Sequence, residues 1–279
     1  MTPSCPIELR RLYRQRRVLP FIGAGASMAV TWSVGGETKR GPSWKELVDE
    51  AARMLGAEEP ALLRMRGNDL QILEYFRIKH GSLAKLTNWL TREMNAADDG
   101  IRASLLHKAL ADLDQCQIFY TTNFDDFLER ALIIHDRKVD VTTAEINVSF
   151  DHSQTQVIKF HGDFNSPERM VMSETDYYQR MSLDTAMDLK LRSDLLGRTI
   201  LFVGYSFSDP NVSYLFHVVQ KIHQDLPDSF GGRRAYIILP DPSDFERRLF
   251  DARNIEVIAT SGADKAGGIC EVLRQMTES

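Results

Sequence analysis

Short apolar segments recur along the chain, and most of them end in small or polar residues followed by helical periodicity. Such segments are typical of buried strands, and their alternation with helices predicts an α/β fold with a mostly parallel sheet covered by helices on both faces. The predicted strands are Val18–Ile22, Gln117–Tyr120, Val157–Phe160, Thr199–Val203, Ala235–Leu239 and Ile255–Ile258. We expect an irregular first strand at Pro20, because proline removes a ladder donor, and a last helix over Ala266–Met276.

The stretch between the first two predicted strands is far longer than a direct βαβ crossover needs. Ser43-Trp44-Lys45-Glu46 has the pattern of a capping box at the start of a helix, and Gly56 is suited to end that helix. Further helices are predicted over Asp69–Lys79, Ser82–Met94, Ile101–Leu113, Ser173–Arg180 and Asp184–Leu196. We interpret the chain as a single domain, 1–279, with a helical insertion at 45–112 and a smaller one at 164–197.

Composition and charge narrow the function classes. The 279 residues, 43 % hydrophobic and 26 % charged, have the balance of a globular domain with a proper core. A net charge of −5 gives no general attraction to nucleic acid or anionic membrane, so we expect direct binding to neither. No apolar run approaches the roughly 20 residues that span a bilayer, and the charged N-terminus is unlike a secretory signal. These features predict a cytoplasmic setting.

The cysteines predict neither a metal site nor a disulfide framework. Cys5, Cys116 and Cys270 lie far apart, and no Cys-x-x-Cys pair occurs. The arginines of the first predicted helix, between residues 10 and 17, share that helix with an apolar stripe. We interpret them as a solvated face, with binding to a partner as the alternative.

Unusual polar and glycine residues follow the predicted strands, at the carboxyl ends where open parallel sheets bind ligands. Gly23-Ala24-Gly25-Ala26-Ser27 comes after the first strand and opens a helical segment. Glycine would let the backbone approach a pyrophosphate, and a helix N-terminus would supply free N–H groups. The segment is neither a full G-x-G-x-x-G motif nor a P-loop, so by itself it leaves phosphate binding open.

Three more strand ends carry candidate chemistry, each with a structural alternative. Thr121-Thr122-Asn123-Phe124-Asp125-Asp126 follows the second strand, and Asn123 could instead cap the next helix. His161 ends the third strand, although a lone histidine is usually structural. Gly204-Tyr205-Ser206 follows the fourth strand, either as a ribose or phosphate contact or as an ordinary turn before a helix that Asp209-Pro210 would start.

Together and in this order, the four strand ends resemble the sirtuin superfamily. The matching segments are Gly-Ala-Gly-Ala-Ser at 23–27, Thr-Thr-Asn-Phe-Asp at 121–125, His-Gly at 161–162 and Gly-Tyr-Ser at 204–206. The resemblance implies a Rossmann-like fold that binds NAD⁺. In that pocket the pyrophosphate and its ribose would contact Gly23, Ala24, Gly25 and Ser27, and the adenosine half would contact Gly204 and Ser206. Asn123 and Asp125 would face the nicotinamide and its ribose, and His161 would be the catalytic base.

The departures from deacylating sirtuins point to one branch of that superfamily. Thr122 stands where those enzymes carry glutamine, and Gly41-Pro42-Ser43-Trp44 leads straight into a helix. The stretch between His161 and Gly204 has no cysteine, so we expect no zinc module. Gly-Tyr-Ser-Phe-Ser-Asp-Pro-Asn at 204–211 is similar to sirtuin-like effectors of bacterial anti-phage systems, of the Thoeris and HerA-partnered types.

This resemblance implies an NAD⁺ hydrolase that releases nicotinamide and ADP-ribose without a metal and depletes NAD⁺ as a defence effector. Asn123 and His161 would be catalytic, with His161 acting as a base near its ordinary pKa of about 6.5. Asp125 would favour positive charge near the ribose. The segment Thr31–Gly41 is expected to be a lid loop over the substrate.

Two other functions use the same pocket. The first is an NAD⁺-dependent protein deacylase or ADP-ribosyltransferase, and the second is a non-catalytic sensor of NAD⁺ or ADP-ribose. An unrestrained hydrolase would deplete its own cell, so we expect control by assembly. The partner would be further copies of the chain in a homo-oligomer, or a separate protein such as a HerA-type ATPase.

Overall fold

A computed structural model of the chain describes residues 4–56, 60–143, 154–180, 185–205 and 235–278. The strands in chain order are β1 (Val18–Ile22), β2 (Thr31–Val34), β3 (Glu37–Arg40), β4 (Ile118–Thr121), β5 (Val139–Thr142), β6 (Thr155–Lys159), β7 (Thr199–Val203), β8 (Ala235–Pro240) and β9 (Ile255–Thr260). Strands β2 and β3 form an antiparallel hairpin. The others form one parallel sheet in the order β5-β6-β4-β1-β7-β8-β9. The predicted α/β fold with a Rossmann-like parallel sheet is therefore confirmed.

Helices surround this sheet. In chain order they are α1 (Ile7–Arg14), α2 (Ala24–Ser27), α3 (Trp44–Met54), α4 (Pro60–Arg64), α5 (Asp69–His80), α6 (Ala84–Glu93), α7 (Asp98–Ala103), α8 (Leu105–Ala111), α9 (Phe127–Ile134), α10 (Glu174–Arg180), α11 (Ala186–Leu195), α12 (Asp244–Asp251) and α13 (Lys265–Thr277). None of these described helices is both long and apolar enough to cross a bilayer.

The central strands are buried on both faces, as expected for a parallel sheet between two helical layers. Phe21, Tyr120 and Phe202 face one layer, where they pack with residues of α11 and α12. Ile22 and Val203 face the other layer, formed by α1, α8, α9 and α13. This burial on both sides explains why the strand sequences are continuously apolar.

Strand β1 lies at the switch point of the sheet. The chain runs from β1 to its neighbour β4 on one side and later returns to β7 on the other. The carboxyl ends of these three strands therefore meet where open α/β sheets bind ligands. The irregularity predicted at Pro20 is not found on the side of β7, because β1 pairs with β7 at every residue from Val18 to Ile22. On the other side it is found, because β1 pairs with β4 only at Phe21 and Ile22, after the proline.

Helices α3, α5 and α6 pack around an apolar cluster of their own beside the sheet. The predicted capping box is confirmed, because Ser43 and Glu46 exchange side-chain and backbone hydrogen bonds at the start of α3. Gly56 follows that helix with a φ of 85°. The interpretation of 45–112 and 164–197 as insertions into a single domain stays a prediction.

Three local expectations differ from the structure. The helix predicted over Ile101–Leu113 is two helices, because Ser104 has an extended backbone and caps α8. The expected lid loop Thr31–Gly41 contains the β2–β3 hairpin, whose turn has positive φ at Gly35 and Gly36. Edge strand β5 was not predicted, since its half-exposed residues give a weak apolar pattern. The helix start predicted at Asp209-Pro210 lies outside the described residues.

Candidate functional site

A cleft borders the carboxyl ends of β1 and β4, and we call it the front cleft. The space between its walls, including the part open to solvent, is about 550 Å³. The polar lining comes from the strand ends and includes Ser27, Thr122, Asn123 and Asp125. The apolar lining comes from α3, α6 and two loops, and includes Trp44, Leu47, Leu90, Met94, Phe124 and Phe164.

A chain of hydrogen bonds joins the two motifs in the front cleft. The Nδ2 of Asn123 donates to the carbonyl of Gly23 at 3.0 Å and to the Oγ of Ser27 at 2.8 Å. The Ser27 hydroxyl in turn donates to Oδ2 of Asp125 at 2.6 Å. The alternative that Asn123 caps α9 is wrong, because its side chain bonds to the glycine segment. Asp125 serves the helix start instead, by accepting from the N–H of Phe127 at 3.1 Å.

Asp125 is an almost fully buried carboxyl group, 4 % exposed. Burial raises its pKa, and the ammonium of Lys159, the Ser27 hydroxyl and the Phe127 N–H oppose that rise. Lys159 donates to the backbone carbonyl of Asp125 and, at 2.7 Å, to Oε1 of Glu129. Sequence reasoning missed this pair, although a lysine inside an otherwise apolar strand could have indicated it.

The glycine segment differs from the expected helix N-terminus. Helix α2 has only four residues, and three N–H groups of the segment already donate to protein, that of Gly23 to the Val203 carbonyl at 2.9 Å. The N–H of Gly25 bonds to the Gly204 carbonyl at 2.8 Å, and that of Ala26 bonds to the Gly23 carbonyl at 2.9 Å. The expectation that these N–H groups are free for a phosphate is therefore wrong. Ala24 and Ser27 are the residues of this segment that line the front cleft.

The backbones at Gly25 and Gly204 approach each other so closely that neither position has room for a side chain. A Cβ on Gly25 would lie 2.7 Å from the Gly204 carbonyl oxygen. Gly204 has a φ of 77°, which favours glycine, and a Cβ there would lie 2.6 Å from the backbone nitrogen of Ala26. The close approach anticipated for a pyrophosphate is thus made by a second protein loop. Ser206 lies outside the described residues.

Tyr205 connects the loops that follow β4 and β7. Its hydroxyl donates to the Ile22 carbonyl at 3.1 Å and lies 2.9 Å from Oγ1 of Thr122. The phenol has one hydrogen, so the Thr122 hydroxyl donates in the second bond. The threonine that stands in place of the sirtuin glutamine is therefore part of the packing of this loop.

His161 lies in the turn after β6, and it is buried. Its ring is 1 % exposed and packs edge-on against Tyr177, with ring centroids 5.5 Å apart. Burial and the charge of Arg180 lower its pKa to about 3, not the ordinary value expected from the sequence. The structure brings Ala24, Ser27, Asn123 and Asp125 to the front cleft, but His161 does not line it.

Metal-ligand geometry is not found in the described residues. No group of three or more histidine, cysteine, aspartate or glutamate side chains there is arranged to hold a metal ion. Burial raises the pKa of the Cys116 thiol to about 12, so this group is held as a neutral thiol.

Comparison with known proteins gives several matches. Residues 117–258, just over half of the chain, match the family described as SIR2-like domain. The NAD(+) hydrolase ThsA of Bacillus cereus (strain MSX-D12) is 29 % identical over 242 residues, which cover 82 % of this chain and 46 % of that protein. Defense-associated sirtuin 2 of Bacillus subtilis is 24 % identical over 246 residues, covering 87 % of this chain and 23 % of that protein.

A solved structure described as "Structural Basis for the Mechanism and Regulation of Sir2 Enzymes" covers 97 % of each chain, with a TM-score of 0.45 and 12 % identity. The chain spans less than half the length of the two curated relatives above. The predicted resemblance to sirtuin-like defence proteins is confirmed by the family match and by these relatives. The chain belongs to the family of SIR2-like domains.

Proposed function

We propose that the front cleft binds NAD⁺ as a substrate and that the chain hydrolyses its nicotinamide–ribose bond to nicotinamide and ADP-ribose. The observation that carries this proposal is the hydrogen-bond chain from Asn123 through Ser27 to Asp125, at the polar side of an otherwise apolar cleft. The name NAD(+) hydrolase ThsA, carried by four curated relatives that are 26–29 % identical, supports the same reaction.

The chemistry of the cleft lining fits the nicotinamide end of this substrate. The pyridinium ring of NAD⁺ is cationic, and the aromatic faces of Trp44 and Phe124 attract cations. As the bond to nicotinamide breaks, positive charge develops on the ribose. An ionised Asp125 would stabilise that charge, strongly so because the group is buried. Asn123, already fixed by two hydrogen bonds, would orient a ribose hydroxyl or the attacking water.

In this proposal, His161 remains the catalytic base. A pKa of about 3 keeps the imidazole neutral at pH 7, which is the state that a base requires, but it makes the ring a weak base. Because the ring is buried and does not line the front cleft, this role requires a movement of the turn after β6 when substrate binds. Comparing NAD⁺ turnover in His161→Ala and His107→Ala tests that role.

Contacts to the rest of NAD⁺ belong to the same proposal. Ala24 and Ser27 line the front cleft and would contact the pyrophosphate and its ribose. Gly23, Gly25 and Gly204 would act through the loop shape that their mutual contacts require. Ser206, which lies outside the described residues, would contact the adenosine half.

We infer a role as a defence effector that depletes NAD⁺ in the cytoplasm when activated. The name of the Bacillus subtilis relative, Defense-associated sirtuin 2, supports this role. Because unrestrained hydrolysis would harm the host cell, activity would be controlled through assembly with further copies or with a partner such as a HerA-type ATPase. Light scattering and NAD⁺ assays over a range of protein concentrations test this control. A strictly monomeric and fully active chain that no partner affects would exclude it.

The reaction is tested by incubating purified protein with NAD⁺ and separating the products by chromatography. We expect nicotinamide and ADP-ribose, and a decrease in turnover of about 100-fold in Asn123→Ala. Asn68→Ala is a matched control, because Asn68 also forms a structural hydrogen bond, at the start of α5, but lies outside the front cleft lining. Release of nicotinamide only with an acyl-lysine peptide would identify a deacylase, and NAD⁺ binding without turnover would identify a sensor.

A further inference from the structure

Lys159 is a charged residue in the interior of the fold. It lies in β6, where every residue is buried, and its side chain is 1 % exposed. A buried ammonium without partners would be strongly unfavourable. The ammonium of Lys159 has two such partners, the carboxylate of Glu129 on α9 and the backbone carbonyl of Asp125 in the loop after β4.

Stability alone is a poor explanation for this ion pair. Buried ion pairs are often replaced by apolar residues of similar volume at no cost to folding. The pair here is also incompletely bonded, because Oε2 of Glu129 is buried and has no hydrogen-bond partner among the described residues. A pair retained for packing would gain by satisfying that oxygen or by replacing both charges.

The location of the pair suggests another role. Lys159 is the last residue of β6, two residues before His161, and its ammonium binds the backbone of Asp125 in the loop after β4. One side chain therefore connects the end of the strand that precedes His161 to the loop that carries Asn123 and Asp125. The carboxyl group of Asp125 bonds to Ser27, which lines the front cleft, while Lys159 bonds to the backbone carbonyl of the same residue.

We propose that Lys159, oriented by Glu129, is the positioning residue that fixes and charges Asp125 for cleavage of NAD⁺. This inference rests on the function proposed above and adds the group that controls its acidic residue. Lys159 acts through Asp125 and does not contact the substrate. The distinction matters for the test, because a positioning residue changes the properties of Asp125 even when folding is intact.

The charges around Asp125 make Lys159 its main electrostatic partner. A second cleft shares Asp125 with the front cleft, and its charged lining consists of Asp125, Asp126, Glu129, Arg130, Lys159 and Asp163. Arg130 is paired with Asp98 and Asp126. Burial, and to a smaller extent the charge of Asp126, raises the pKa of Asp125, and Lys159 is the leading charge that lowers it. Loss of Lys159 would therefore favour protonated Asp125.

The test compares Lys159→Met with Lys190→Met in the full chain. Lys190 is a matched control because it is also fully buried and pairs with a buried carboxylate, Asp194 at 3.0 Å, on α11 away from both clefts. We expect Lys159→Met to lower kcat for NAD⁺ by at least about tenfold. The acid limb of its pH–rate profile should move up by about one pH unit or more, the usual effect of losing an adjacent opposite charge. Lys190→Met should lower thermal stability to a similar degree but keep the acid limb unchanged.

A double variant separates positioning from folding. Lys159→Met with Glu129→Leu removes both charges, so stability should return toward that of the unaltered chain while kcat stays low. Recovery of kcat together with stability would overturn the proposal. The proposal would also be overturned if Lys159→Met and Lys190→Met showed the same decrease in kcat and the same position of the acid limb.

A measurement without turnover distinguishes this inference from the proposed function. The carboxyl carbon of Asp125 can be followed by ¹³C NMR during a pH titration, with Asp125→Asn identifying its resonance. The midpoint should rise in Lys159→Met relative to the unaltered chain. If the unaltered chain releases no nicotinamide, the proposed function fails, and the titration still decides this inference. An unchanged midpoint would overturn it.

Discussion

The hydroxyl of Ser27 donates a 2.6 Å hydrogen bond to Oδ2 of Asp125, and this bond ties the turn after β1 to the loop after β4. Both side chains are buried, at 3 % and 4 % exposure. Ser27 also accepts from Asn123, so its loss would leave a donor and a carboxylate without their partner. Coupling between the two motifs therefore depends on one hydroxyl group.

We expect Ser27→Ala to lower the free energy of unfolding by about 1–3 kcal/mol, because it leaves buried polar groups unsatisfied. NAD⁺ turnover should fall by at least about tenfold. Ser104→Ala is the control, since Ser104 is also buried and bonds to His107, at the start of α8. It should show a similar loss of stability with intact turnover. Stability is measured by urea unfolding and turnover by NAD⁺ assay in both variants. If the two variants lose stability equally and keep equal turnover, Ser27 has no part in NAD⁺ cleavage.

A second comparison concerns two buried histidines. His161 and His107 are each 1 % exposed, and burial lowers the pKa of His107 to about 4. Replacing either with alanine leaves a comparable cavity, so the effects on folding should be similar. His161→Ala should reduce NAD⁺ turnover by about 100-fold, the usual scale for an acid–base group, whereas His107→Ala should retain it. If both variants keep near-full activity, His161 is a structural histidine.

The same two residues predict how stability depends on pH. Their folded pKa values, about 3 and about 4, lie below the ordinary 6.5. Between those values and pH 6.5, the unfolded chain therefore binds more protons than the folded chain does. The contribution of the two neutral histidines to the free energy of unfolding is fully present above pH 6.5 and is lost as the pH falls toward the folded pKa values. Each should add a slope of about 1.4 kcal/mol per pH unit there. Urea unfolding between pH 4.5 and 6.5 measures it, and a slope that is the same in His107→Ala would contradict the assignment.

The parts of the fold that the sequence could predict are those fixed by local pattern. Strand β7 is predicted over Thr199–Val203 and observed there, because an apolar run bounded by polar residues identifies a buried strand. Edge strand β5 was missed because only Thr142 among its residues is fully buried. The break at Ser104 was missed because the helical periodicity continues through it, while the serine side chain favours a new cap.

The site was less predictable, since its chemistry depends on contacts between distant residues. The carboxyl ends of parallel strands lie at the same edge of a sheet, and this rule predicts Asn123 and Asp125 near Ser27. The sequence could not reveal that the Gly204 backbone fills the space beside Gly25, because that approach joins residues about 180 positions apart. Nor could it reveal the burial that lowers the pKa of His161, since burial is a property of the packed fold.

Trp44 presents an unsatisfied donor at the front cleft. Its indole Nε1 is buried without a hydrogen-bond partner in the part of the chain that the structure describes, and its side chain lines the cleft. We expect NAD⁺ to supply an acceptor, so Trp44→Phe should raise KM about fivefold, the effect of about 1 kcal/mol. Trp89→Phe is the control, because Trp89 packs in the α3–α5–α6 cluster and does not line the cleft. An unchanged KM in Trp44→Phe would show that NAD⁺ does not accept a hydrogen bond from the indole nitrogen.

The last prediction uses two glycines with the same backbone conformation. Gly204 and Gly197 both have a φ of 77°, so an alanine at either position should cost about 1–2 kcal/mol for the left-handed backbone alone. They differ in surroundings, because a Cβ at Gly197 meets nothing within 4 Å, whereas one at Gly204 would lie 2.6 Å from the nitrogen of Ala26.

Gly204→Ala must therefore push the loop after β7 away from the glycine segment at the switch point. It should lose about 1–3 kcal/mol more than Gly197→Ala, the scale of overpacking, and its KM for NAD⁺ should rise because Ala24 and Ser27 move with the segment. Gly197→Ala should keep its KM. Urea unfolding and initial-rate assays on the two variants measure both effects. Equal losses of stability together with an unchanged KM would show that the contact between these loops does not shape the cleft.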